Sequence, residues 1–231
     1  VEERLERRTA EETRRILEGL DREYPEADCT LEYKEPFRLL VSAILAAQCT
    51  DERVNLVGKT LFVDYPDVRS FAEADIGRLE QAVRSCGFYH VKAKSIKSSA
   101  ARILLEYGGE VPQTMEELLA LPGVGRKIAN LVLGDCFGTP GIVVDTHAAR
   151  LSRLIGLSDA TTPERIEADL RRIVPEERWT DFGHLLVAHG RKYCIARRPK
   201  CASCPLQPMC DHGRTGTATS SFAPAPGDST R

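Results

Sequence analysis

The chain has 231 residues, 42% hydrophobic and 29% charged, with a formal net charge of −2. It holds nothing like the roughly eighteen consecutive apolar residues of a membrane span. Val1-Glu2-Glu3-Arg4 leads into no apolar stretch either, so the expectation is a cytoplasmic chain without membrane association, large enough for one domain or two small lobes. The near-neutral total exerts no general pull on a polyanion, but the charge is uneven: residues 1–35 carry seven Lys/Arg against twelve Asp/Glu, whereas His184 to Arg214 carry six against one.

In chain order, Leu5 to Leu20 sets sparse apolar residues among Glu and Arg, the pattern of a surface helix with i,i+4 charge pairs. Pro36 then opens a run that is apolar almost all round, Phe37 to Ala47, and a helix without a polar face is a central one. Thr50 or Asp51 caps a helix over Glu52 to Val63. Helical patterns recur over Asp75 to Ser85 and Val91 to Glu106, parted by Cys86-Gly87-Phe88-Tyr89-His90. Thr114 and Glu117 form a capping-box signature for Met115 to Ala120. Lys127 to Phe137 stops at Gly138-Thr139-Pro140-Gly141, and Ile142-Val143-Val144 leads into Thr146 to Ile155. Thr161-Thr162-Pro163 starts a helix ending near Val174, and Trp179 to His189 is the last. No run alternates as strands do, so the expected class is all-α. From Gly213 to Arg231 the composition predicts a disordered tail.

Of eight cysteines, Cys29, Cys49, Cys86 and Cys136 are scattered and read as small buried hydrophobes. Cys194, Cys201, Cys204 and Cys210 are spaced Cys-x6-Cys-x2-Cys-x5-Cys. In a reducing compartment that density of thiols is a metal site, and spacing alone leaves zinc and iron-sulfur both open. Arg197, Arg198 and Lys200 lie between the first two ligands, where a pinned loop presents them to phosphates.

Leu121-Pro122-Gly123-Val124-Gly125-Arg126-Lys127-Ile128-Ala129 joins two helical patterns through a glycine turn, so that backbone N–H groups and the positive end of a helix meet an anion. Lys127 follows within the first helical turn. Asp145, eighteen residues later, opens the next helix in Val144-Asp145-Thr146-His147.

These stretches, with Ala47-Gln48-Cys49-Thr50-Asp51, Gly87-Phe88-Tyr89-His90-Val91-Lys92-Ala93 and His189-Gly190-Arg191, resemble the endonuclease III family of helix-hairpin-helix DNA glycosylases, from about Phe37 to Cys210. The resemblance implies two helical lobes flanking a DNA-binding cleft: a helical barrel over residues 30–139 containing the hairpin, and a lobe joining residues 1–29 to 140–212, with a disordered tail over 213–231. It implies a bifunctional glycosylase and AP lyase of base excision repair, acting as a monomer on double-stranded DNA with oxidised bases or abasic sites, and nucleoid-associated when bound. Such enzymes flip the base out, because the glycosidic carbon is unreachable inside the stack. Carried over, Lys127 attacks the sugar C1′ and Asp145 assists. Gln48 fills the gap left by the flipped nucleotide, and Phe88 wedges into the opposite strand, where relatives carry an aliphatic residue. Leu121, Gly123, Val124, Gly125, Arg126 and His147 join the DNA contacts, and the four cysteines hold a 4Fe-4S cluster, with zinc the alternative.

Three other readings use part of the pattern. An adenine-mismatch glycosylase usually lacks a lysine at the position of Lys127 and carries a further C-terminal domain. A non-catalytic helix-hairpin-helix module has no need of Lys127 and Asp145 together. An electron-transfer protein has no need of the hairpin.

Overall fold

The structure, a computed structural model, describes residues 8–215. Every regular element among them is helical. Twelve α-helices follow: α1 (Ala10–Glu23), α2 (Pro36–Leu45), α3 (Asp51–Asp64), α4 (Val68–Ala72), α5 (Ile76–Val83), α6 (Tyr89–Glu106), α7 (Met115–Leu119), α8 (Arg126–Phe137), α9 (Thr146–Ile155), α10 (Pro163–Ile173), α11 (Trp179–Lys192) and α12 (Asp211–Thr215). None is long and apolar enough to cross a membrane.

Local chemistry accounts for most boundaries. Thr9 caps α1 and Glu12 reaches back to the Thr9 N–H, a reciprocal cap visible in the sequence as Thr-x-x-Glu but not anticipated. Leu5, where the first helix was expected, lies outside the described residues. The five-residue α4 also escaped the reading of periodicity. Asp67 and Ser70 cap it reciprocally, which is how so short a helix holds its first turn. At α10 Pro163 sits at the first position as expected, but Thr162 makes no side-chain cap bond. The last long helix runs past His189 to Lys192, because Arg191 and Lys192 are held by Asp51 and Glu23. The tail expected from Gly213 is corrected at its start: Gly213, Arg214 and Thr215 belong to α12, whose Asp211 pairs with both Arg8 and Arg214. Residues 216–231 lie outside the described residues.

Two hydrophobic cores organise these helices. The first gathers Leu31 through Val143, with α2 at its centre and Leu39, Leu40 and Leu45 fully enclosed. Of the scattered cysteines expected to be buried, Cys86 belongs to it, whereas Cys29, Cys49 and Cys136 are only partly buried and lie against it. The second joins Ile16, Leu17 and Leu20 of α1 to α9, α10, α11 and Leu206. The crossing at Ile142-Val143-Val144 is extended, so side chains alternate: Ile142 and Val144 enter the second core and Val143 the first.

Between the cores, His184 of α11 meets Asp135 of α8 at 2.9 Å, with both side chains largely enclosed. Burial disfavours the His184 imidazolium, but the Asp135 carboxylate overrides it and holds the pKa above the ordinary histidine value. A raised folded-state pKa adds stability that is complete below the unfolded value of about 6.5 and is lost as pH rises through the folded value. The stability gap between the native chain and His184→Gln, followed by urea denaturation, should therefore narrow above neutrality. A gap constant from about pH 5.5 to about pH 9 would contradict this assignment.

Candidate active site and metal centre

The hairpin between α7 and α8 is fastened from below. Leu121 and Val124 are buried plugs, and the Val124 N–H closes the turn on Leu121 O at 3.1 Å. Ser99 of α6 donates to Pro122 O at 2.7 Å, and Arg102 donates to Ala120 O at 2.5 Å. Gly123 stands at φ +79°, where a Cβ would lie 2.7 Å from Ser95 Cβ. Glycine is thus demanded twice, by the backbone and by the approach of α6. At Gly125 the backbone is extended and nothing lies within 4 Å of such a Cβ. Gly123→Ala should cost about 2 kcal/mol or more in chemical denaturation and Gly125→Ala under about 1 kcal/mol. Equal losses would show that this account of the turn is wrong.

No side chain caps α8, so the amides of its first turn meet no side-chain acceptor. Lys127 stands on that turn, exposed, with no hydrogen bond or ion pair among the described residues. Three contact expectations are narrowed here. The Leu121 and Val124 side chains face the core, leaving only their backbone for a ligand. The Arg126 guanidinium turns to the buried Glu167 of α10, with bonds of 2.7 and 2.8 Å, because a carboxylate enclosed in the second core requires a paired charge. That bidentate pair ties the start of α8 to the other core. Sequence offered no signal for it beyond two charges 41 residues apart.

Asp145 caps α9, its Oδ1 accepting from the Ala148 N–H at 2.7 Å. Its Oδ2 carries no hydrogen bond among the described residues. His147 rests against Gly190 of α11, where a Cβ would meet its Nδ1 at 2.5 Å. Burial, opposed by Asp145 and reinforced by Arg150 and Arg191, holds the His147 pKa below its ordinary value. Arg191 reaches across to Asp51 at 2.6 Å, bringing α11 to the loop that holds Gln48. This bridge was also missed.

Gln48 and Phe88 were expected as inserting residues. They are the two non-glycine residues with positive φ among those described, at +52° and +47°, and both are exposed, Phe88 by 65%. Backbone strain of this kind persists where the surroundings over-determine it and concentrates at functional positions.

The four clustered cysteines line one recess with His189, Tyr193 and Leu206. Cys204 lies in the electrostatic field of the other three, and Cys194 in that of Cys201 and Cys210. Burial raises the Cys204 thiol to about 11. Among the described residues no three His, Cys, Asp or Glu come together closely enough to hold a single ion. Four thiolates on one short loop can hold either a single zinc or an iron-sulfur cluster. His189 stands behind the recess, its ring nitrogens 2.9 Å from the Tyr24 hydroxyl and 3.3 Å from Cys204 Sγ. Burial lowers its pKa to about 4, so it is neutral and donates through one nitrogen only. Arg197, Arg198 and Lys200 are exposed on the loop between Cys194 and Cys201, with no side-chain ion pair among the described residues.

The geometry agrees with the comparisons to known proteins. Residues 41–176 match the model of the HhH-GPD superfamily base excision DNA repair proteins. Endonuclease III of Synechocystis is 49% identical over 196 residues, covering 84% of this chain and 90% of that protein. Endonuclease III of Bacillus subtilis is 43% identical, covering 83% and 88%. Among solved structures, a non-covalent endonuclease III–DNA complex and a trapped endonuclease III–DNA covalent intermediate each superpose with a TM-score of 0.86 at 39% identity, covering 90% of this chain and 98% of theirs. An all-α hairpin fold with a lysine and a carboxylate at these places, matched along most of its length at such identity, is a base excision repair DNA glycosylase and AP lyase, and the chain belongs to the endonuclease III family of the HhH-GPD superfamily.

Proposed function

We propose that the chain excises oxidised pyrimidines, thymine glycol among them, from double-stranded DNA, and then cleaves the strand 3′ to the abasic site. The observation that carries this reading is the uncapped start of α8, with Lys127 free on its first turn and Gly123 and Gly125 leaving the backbone open to a phosphate. The Lys127 amine attacks the sugar C1′ as the base leaves, forming a Schiff base, and β-elimination breaks the strand. The free Oδ2 of Asp145 is assigned to take the amine proton and to face the positive charge that develops on the sugar. Its other oxygen, spent on the α9 cap, fixes the carboxylate in place. A relative 39% identical has been captured joined covalently to DNA, which is the chemistry assigned here.

The DNA lies between a barrel lobe of residues 30–139 and a lobe of residues 1–29 with 140–212, and one copy suffices. Gln48 fills the vacated stack and Phe88 enters the opposite strand as an apolar wedge. His147 and the main-chain N–H of Arg126 meet the strand beside Gly123 and Gly125. Arg197, Arg198 and Lys200 hold phosphates farther along. Cys194, Cys201, Cys204 and Cys210 hold a 4Fe-4S cluster. When bound it supplies a rigid cross-link to a loop too short for a core of its own.

The test is a duplex containing thymine glycol, incubated with the protein and reduced with borohydride. A trapped protein–DNA adduct is expected, together with free damaged base and a strand cut 3′ to the lesion. Absence of both adduct and cut contradicts the proposal.

A further inference from the structure

We infer that Lys92 is a positioning residue, clamping the Gln48 and Phe88 loops into register with one another; the inference rests on the reading of those two residues given above. Lys92 lies in the first turns of α6 and is only 5% exposed. Its ammonium donates to Leu45 O at 2.9 Å and to Cys86 O at 2.8 Å. Leu45 ends α2, three residues before Gln48, and Cys86 ends the 3₁₀ turn two residues before Phe88.

A buried ammonium is costly to desolvate, so a lysine that serves packing alone would snorkel its charge to solvent. This one spends it on two carbonyls that helix ends leave without partners. Among the described residues no backbone hydrogen bond joins residues 45–50 to residues 84–88. The bridge between the main chains of the two loops is therefore the Lys92 ammonium, with the Cys49 and Cys86 thiols hydrogen-bonded to each other beside it. Burial lowers its pKa, while Cys49 and Cys86 facing it push the other way. The two loops it joins are those that hold a non-glycine residue at positive φ. Such backbone persists only where the surroundings fix it, and an inserting side chain must stand ready before the helix is opened.

The clamp should matter in proportion to the pairing that must be broken. Flipping costs least for a base already unpaired. Single-turnover excision by Lys92→Met should fall about tenfold or more for thymine glycol opposite adenine and less than about threefold opposite a tetrahydrofuran abasic analogue. Lys92→Arg, which keeps the charge and donors, should restore most of the difference. Equal losses on both substrates would overturn the inference, since a purely structural role lowers both together. Activity on the unpaired lesion certifies that the variant is folded. Should Lys92→Met not fold, Lys92→Gln, which retains one donor group, carries the same comparison.

A 2-aminopurine placed beside the lesion separates this inference from the reading beneath it. Wild-type protein should raise its fluorescence on binding and Lys92→Met should raise it less. No rise with the wild type defeats the assignment of Gln48 and Phe88. An equal rise with both proteins defeats only the role given to Lys92.

Discussion

Lys127→Ala should leave the chain folded and its lesion chemistry absent. The side chain is exposed and makes no hydrogen bond or ion pair among the described residues, so its removal should change stability by no more than about 0.5 kcal/mol. Strand cleavage at an abasic site should fall by about 10⁴-fold or more, because the covalent route is closed. Lys127→Arg sharpens the test. Guanidinium keeps the positive charge near the phosphates but remains protonated and forms no Schiff base. It should bind lesion duplex nearly as well as wild type and be as inactive as the alanine variant. If Lys127→Arg retained cleavage, Lys127 would be a phosphate contact and the nucleophile would lie elsewhere.

The second large effect is expected from the cysteine recess. Cys204→Ala should abolish the visible absorption of an iron-sulfur protein and cost on the order of 4 kcal/mol, the scale of losing a metal staple. Leu206 and Met209 pack on the second core from this segment, so loosening it opens that core as well. DNA affinity should fall too, since Arg197, Arg198 and Lys200 lie between the first two ligands and lose their fixed places. The slope of log affinity against log salt should become shallower as phosphate contacts are lost. Cys136→Ala, whose thiol lies against the first core, should keep the absorption. A colourless native protein containing stoichiometric zinc would contradict the assignment.

Much of this was legible in the sequence because it is local. The all-apolar run from Phe37 marks the central helix, Pro36 and Thr50 mark boundaries, and Asp145 announces itself as a cap four residues into the run that follows Gly141. The glycine turn and the lysine beyond it are contiguous, so spacing alone places them on a helix start. What escaped depends on contacts between distant segments. Arg126 stands in the hairpin among the expected DNA contacts, yet its guanidinium is paired with Glu167. Lys92 lay inside a recognised motif, yet nothing in a string of residues tells that its charge points inward to two carbonyls 41 residues apart along the chain. Leu121 and Val124 fall in the binding turn but serve the core, because an alternate residue in a tight turn must face the protein. Strain at Gln48 and Phe88 has no sequence signature at all; neither residue type favours positive φ.

The most direct measurement is the site of attachment. Wild-type protein trapped by borohydride on thymine glycol duplex should be digested by nuclease and protease, and the residual deoxyribose mapped by mass spectrometry. The added mass is expected on Lys127 in the peptide that follows Gly125. Its appearance on another lysine or on the chain's terminal amine would contradict the central claim.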